Sequence, residues 1–119
     1  MQGKKPVNNL KVSNMLSELE KKLKLVFGNK LRKIILYGSY ARNDQNLGSD
    51  IDIMVLVDMP QDDIKNYQNQ ILDIKVDLTT RYGIVLSVIE NNYDYFYEWK
   101  EFMPFFNNVA LEGVEIYGR

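Results

Sequence analysis

Residues 31–58 read LRKIILYGSYARNDQNLGSDIDIMVLVD, two apolar runs held apart by a polar loop that begins with glycine. Leu31 to Tyr37 predicts a strand, because Ile34, Ile35, Leu36 and Tyr37 form a short continuous apolar run that stops at Gly38. Asp50 to Val57 predicts a second strand. Its last half, Met54 to Val57, is apolar on both faces, which argues for a central position in a sheet. Between the two, Gly38-Ser39 breaks the chain and Ser39 is placed to cap a short helical segment through Tyr40, Ala41 and Arg42. Asn43, Asp44, Asn46 and Gly48 then mark a turn-rich loop.

Outward from this stretch the pattern alternates. Val12, Leu16, Leu19, Leu23 and Val26 recur in steps of four and three, a helix with an apolar stripe that Gly28-Asn29 ends. After Pro60 a helix starting at Asp62 lines up Ile64, Tyr67, Ile71, Ile74 and Leu78, and Gly83 follows its end. Ile84 to Ile89 predicts the third strand and Asn92 to about Phe102 a helix rich in Tyr and Phe. Pro104 to Glu112 predicts another helix stopped by Gly113, and Val114 to Tyr117 a short final strand. The fold class is therefore α/β (α+β), a small mixed sheet flanked by helices.

With 119 residues the chain reads as one domain, 1–119, in which only residues 1–9 look loose. A core this small opens one cleft, so a large substrate needs a shallow site or a second chain. A homo-oligomer stays open. No apolar run resembles a signal peptide or approaches a membrane span, so the expectation is a soluble cytoplasmic protein with no membrane role. The net charge of −1 gives no case for nucleic acid as a partner. Its distribution is uneven: residues 1–33 hold nine Lys or Arg against Glu18 and Glu20. A solvated helix face explains that, and an acidic partner or a nucleotide is the alternative. The absence of Cys and His removes thiolate and imidazole chemistry. Carboxylates, hydroxyls, Lys, Arg and backbone amides remain, a set that suits hard cations such as Mg²⁺.

Two features carry chemistry. Asp is a poor strand former, yet Asp50-Ile51-Asp52 opens a strand. Side chains at i and i+2 share a strand face about 7 Å apart, so both carboxylates can converge on a cation; a hydrated strand mouth is the plain alternative. Gly38-Ser39 lies between strand and helical turn, where glycine admits a ligand oxygen and Ser39 offers a hydroxyl, although such turns use these residues anyway. Arg42 adds a cation just beyond, free to face a triphosphate or only water.

Together, Gly38-Ser39-Tyr40-Ala41-Arg42, the ten residues from Tyr40 through Ser49, and Ser49-Asp50-Ile51-Asp52-Ile53-Met54-Val55 resemble the signature of the DNA polymerase β-like nucleotidyltransferase superfamily. The likeness is greatest to its minimal nucleotidyltransferases (MNT), whose pattern is G-S-x-A-R-G, a spacer, then S-D-x-D. The resemblance implies a palm-like sheet and transfer of a nucleoside monophosphate, AMP from ATP in the first instance, to a hydroxyl. It implies nucleotide contact by Gly38, Ser39, Arg42 and Ser49, and Mg²⁺ held by the catalytic carboxylates Asp50 and Asp52.

The sequence departs from that pattern twice. Asn43 stands where the motif has Gly, and Asn tolerates a left-handed turn. Active relatives also place a third carboxylate on the strand after the helix, and Ile84 to Ile89 contains none. Ser87 is its only polar residue; Glu90 just beyond, or Asp73 and Asp77 on the preceding helix, are the substitutes on offer. The resemblance further implies a partner, a helical protein of the HEPN class (higher eukaryotes and prokaryotes nucleotide-binding), whose tyrosine such antitoxins modify with AMP. Tyr93, Tyr95, Phe96, Tyr97, Trp99, Phe102, Phe105 and Phe106 either pack two helices or supply that interface. The alternative function is a weakly active or inactive module of the same fold that acts as an antitoxin or regulatory subunit by binding alone.

Overall fold

The computed structural model describes residues 9–119; the stretch read as loose lies outside them except for Asn9. Asn9 belongs to the fold: its Oδ1 accepts the Val12 amide at 3.1 Å and caps helix α1, Leu10–Phe27. Gly28, at φ 57°, ends that helix by returning its N–H to the Lys24 carbonyl. Strand β1 then runs Leu31–Tyr37, helix α2 Ser39–Arg42 and strand β2 Ile51–Val57. The long helix expected after Pro60 is interrupted. Helix α3 covers Gln61–Ile64, a 3₁₀ turn Lys65–Tyr67, and helix α4 Gln68–Tyr82, ended by Gly83 at φ 71°. Strand β3 is Leu86–Asn92, helix α5 Tyr93–Trp99, helix α6 Pro104–Glu112 and strand β4 Val114–Gly118.

The four strands form one mixed sheet in the order β3-β2-β1-β4, with β2 central as its apolar run requires. Strand β1 pairs antiparallel with β2 and β4, and β2 pairs parallel with β3. The parallel crossover is supplied by α3 and α4. One sheet face is covered by α1 and α4. There Met15, Leu19, Leu23 and Leu78 meet Ile34, Leu36, Ile53 and Val55 in a continuous buried cluster. The other face is covered by α5 and α6, where Ile35, Met54 and Leu56 meet Phe96, Phe106 and Val109.

Two boundaries differ from the sequence reading. Strand β3 starts two residues later than expected and ends three later, because its register is set by β2, with Ile51 opposite Leu86 and Val57 opposite Asn92. Helix α5 is shorter than expected, with Asn92 as its N-cap: Asn92 Oδ1 accepts the Tyr95 amide at 2.8 Å. Among the described basic residues of the N-terminal segment, the lysines of α1 form a solvated helix face, with Lys24 paired to Glu20 at 2.8 Å and Lys22 to Asp77 at 3.6 Å, whereas Arg32 and Lys33 belong to β1.

Candidate active site

Strand β1 ends at the same edge of the sheet where β2 and β3 begin, and the residues singled out from the sequence gather there. Tyr37 and Asp52 are register partners across β1 and β2, and Asp52 and Ser87 are partners across β2 and β3. Strand side chains alternate, so Asp52 shares its face with Met54 and Leu56, the side covered by α5 and α6. Asp50 lies one residue before β2 and is exposed; Asp52 is half-buried.

Gly38 joins β1 to α2 at φ 76° and ψ −156°, a conformation that L side chains rarely adopt. A Cβ at this position would collide with Asp52 Oδ2. The oxygen that glycine admits here is therefore a carboxylate of the protein, and Gly38 and Asp52 form one packed unit. Gly38 is also the N-cap of α2, so Ser39 is its first helical residue and makes no side-chain cap bond, unlike the expected arrangement. The Gly38 carbonyl accepts the amides of Ala41 and Arg42, both at 3.1 Å. Asn43 closes the turn at φ 65°, the left-handed conformation expected of a residue replacing Gly there.

Arg42 is engaged rather than free: its guanidinium pairs with Asp44 at 3.1 Å and with Glu112 at 3.0 Å. Those carboxylates raise its proton affinity, and its positive charge in turn partly steadies Asp52. Ser49 is likewise used by the loop, its Oγ accepting the Asn46 amide at 2.9 Å while its own amide donates to the Asn46 carbonyl at 3.1 Å.

The electrostatics of the pair are unbalanced. Burial, and then the negative charge of Asp50, push the Asp52 carboxyl above its ordinary value, and Arg42 offsets only part of this. Tyr37, which the sequence marked only as the end of a strand, is half-buried beside them. Burial and the charge of Asp52 push its phenol up to about 12. Its only advance signal was its position immediately before Gly38.

The substitutes for a third carboxylate separate by strand parity. Ser87 shares the face of Asp52. Glu90 is the partner of Val55 and so belongs to the opposite face, where Gln68 Nε2 donates to its carboxylate at 2.7 Å. Asp77 is held by Arg81 at 2.9 Å on α4, across the sheet, and Asp73 is exposed on the same helix. Among the described residues no group of three or more acidic side chains is placed to share a metal ion.

Comparison with known proteins identifies the family and the fold. A family model described as a nucleotidyltransferase domain matches residues 12–97. A protein of Methanocaldococcus jannaschii, provisionally named a protein adenylyltransferase, is 33% identical over 102 residues, covering 86% of this chain and 94% of its own length. A second from the same organism, with the same provisional name, is 37% identical over 78 residues, covering 61% of this chain and 78% of its own. The chain belongs to the nucleotidyltransferase family, and it is a nucleotidyltransferase. Two solved structures share the fold. A toxin-antitoxin complex with AMP-PNP superposes with TM-score 0.59 at 22% identity, covering 87% of this chain and 73% of that one. The MNT antitoxin bound to a tri-AMPylated HEPN toxin of Shewanella oneidensis gives 0.57 at 20%, covering 92% and 74%. The palm-like mixed sheet inferred from the motif is thus the fold observed.

Proposed function

We propose that the protein transfers AMP from ATP to a tyrosine hydroxyl of a HEPN-class partner in a Mg²⁺-dependent reaction, with residues 1–119 acting as one catalytic domain. The observation that carries this reading is the carboxylate pair at the mouth of the sheet: Asp52 is packed under Gly38, and burial, then the charge of Asp50, raise its proton affinity. Two hard oxygen donors two residues apart at the start of β2, short of positive charge, fit a divalent cation. When bound, Mg²⁺ supplies charge neutralisation for a triphosphate and its pyrophosphate leaving group. The relatives provisionally named protein adenylyltransferases, and the neighbours that hold AMP-PNP or an AMPylated HEPN toxin, support AMP as the transferred group.

The chain's own residues then have separable roles. Asp50 and Asp52 hold the cation. The Gly38-Ser39 turn brings backbone and the Ser39 hydroxyl to the phosphates, while Ser49 keeps the loop before Asp50 in shape and meets the nucleotide from there. Arg42, anchored by Asp44 and Glu112, presents its remaining N–H groups and its charge at the same edge. In the transfer, the acceptor oxygen bonds to the α-phosphorus, the bond from that phosphorus to the bridging oxygen breaks, and pyrophosphate leaves with that electron pair. The hydroxyl proton passes to water or to the carboxylate pair, since no imidazole or thiolate exists in this chain.

One observation favours a second reading, a weakly active or inactive module that acts by binding a partner: Ser87 stands beside Asp52, and Glu90 is on the wrong face. One experiment separates the two. Incubation with ATP labelled at the α-phosphate, Mg²⁺ and a HEPN-class protein should label the acceptor with wild-type enzyme. Asp52→Asn should lose label by about a hundredfold or more, and Ser87→Asp should gain it by adding a carboxylate to the same face. A folded wild-type protein that transfers nothing while Ser87→Asp transfers AMP identifies the binding module.

A further inference from the structure

The sheet face that carries Asp52 also carries an apolar groove of about 780 Å³, bounded by β3, by α5 and α6 and by the start of α3. Its floor includes Ile89 and Asn91, which follow Ser87 at the next two positions on that face of β3. Tyr95, Phe105 and Pro60 form walls. Phe105 links groove to site: its ring meets Tyr37 edge-on at 5.5 Å, and Tyr37 is the register partner of Asp52.

Phosphoryl transfer does not account for this surface. Phe96 and Phe106 satisfy the small core, whereas Tyr95, Trp99, Phe102 and Phe105 are 43%, 42%, 72% and 42% exposed. Three of them run as a strip away from the groove wall, Tyr95 to Trp99 at 6.3 Å and Trp99 to Phe102 at 6.0 Å. Such a strip has the composition of an interface centre. Charge selects the occupant. The exposed acids Asp94 and Glu98 belong to α5, whose Tyr95 walls the groove, and Glu101 follows that helix, against Lys100 alone in the same stretch. Lys33 and Arg32, which meet α5 at Tyr97 and Tyr93, are paired with Glu115 and Asp58. The acids of the wall helix, unpaired among the described residues, oppose a triphosphate and favour a polypeptide bearing Lys or Arg.

We propose that the groove docks the polypeptide that carries the acceptor tyrosine, an inference that rests on the transferase reading above. Strand β3 is the last strand of the sheet, so an extended segment along it sets alternate side chains on the Asp52 face. A tyrosine level with Ser87 puts the side chains two and four residues away level with Ile89 and Asn91. The groove thus takes an aliphatic or aromatic side chain at one of those spacings, flanked by basic residues.

The test uses two labelled peptides, each a tyrosine with leucines at the second and fourth positions on either side, and Lys or, in the control, Glu between them. Anisotropy titration with the full chain should show saturable binding of the Lys peptide and at least about tenfold weaker binding of the Glu peptide. Tyr95→Ala, at a ring 43% exposed, and Ile89→Asp should each weaken the Lys peptide by about tenfold, with an unchanged unfolding midpoint as the control for folding. The double reversal Asp94→Lys with Glu98→Lys should invert the preference, and none of these should alter Mg²⁺-ATP affinity. No saturable binding of the Lys peptide, or equal binding by Tyr95→Ala and wild type, overturns the proposal. Loss of Mg²⁺-ATP affinity in Tyr95→Ala assigns the groove to the nucleotide instead. A wild-type dimer that Tyr95→Ala dissociates assigns it to a second copy. Peptide binding as expected, with no transfer of α-phosphate label to any hydroxyl acceptor, overturns the transferase reading and leaves the docking site standing.

Discussion

The two faces of one sheet are built to different standards. Under α1 and α4 the strands meet a continuous aliphatic layer in which Leu19, Leu23, Ile53, Val55 and Leu78 are fully buried. Under α5 and α6 the layer is small and aromatic, and the same face carries an under-neutralised carboxylate, a half-buried tyrosine and exposed rings. Stability is concentrated on the first face, which leaves the second free to hold groups that weaken a fold. The lesson is that burial alone does not mark function: Ile53 and Asp52 are neighbours in the chain, and only the parity of the strand assigns them to opposite purposes.

The largest difference between the faces should appear on truncation. Leu19→Ala should cost about 3 kcal/mol in urea unfolding, whereas Trp99→Ala should cost less than about 1 kcal/mol. Equal losses would mean that the aromatic strip is structural. Next comes the junction of site and sheet. Gly38→Ala places a Cβ against the Asp52 carboxylate at a positive φ, so it should destabilise by about 1–2 kcal/mol. It should also abolish Mg²⁺-dependent thermal stabilisation by ATP; retention of that stabilisation would show that Gly38 is only a turn residue.

The smallest effect concerns pH. The folded Asp52 holds its proton more tightly than the unfolded chain does, so its contribution to stability is fully present below the ordinary 3.8 and is lost as pH rises through its raised folded value. Above that window Asp52→Asn should therefore melt slightly higher than wild type without metal, by less than about 4 °C, and Mg²⁺ should raise only the wild type. A lower melting temperature for Asp52→Asn at neutral pH would show that the ionised carboxylate stabilises the fold.

What the sequence disclosed follows the reach of its signals. Helix α1 and strand β1 were legible because their periodicity is local, and the Asp50–Asp52 pair because carboxylates at a strand mouth contradict strand propensity. The extent of β3 was hidden, since Glu90, Asn91 and Asn92 join it only by pairing with β2. Ending the strand at Ile89 concealed that Glu90, three positions after Ser87, faces away from the site. The engagement of Arg42 by Glu112, 70 residues later, and the packing of Gly38 on Asp52 are tertiary contacts with no local trace. The aromatic cluster was ambiguous for a different reason: it divides, with Phe96 and Phe106 in the core and four rings exposed.

Strand β1 lies between β2, which follows it after α2 and its loop, and β4, which begins at Val114. On a ribosome adding about 5–20 residues per second, roughly 4–15 seconds separate the appearance of β1 from that of its second neighbour. Throughout that interval the hairpin of β1 and β2 shows one bare edge and an uncovered apolar face, because α6 and β4 are still to come. The newborn chain is therefore open to chaperones or to misassociation for seconds, and slowing translation after Asn92 should lengthen that exposure.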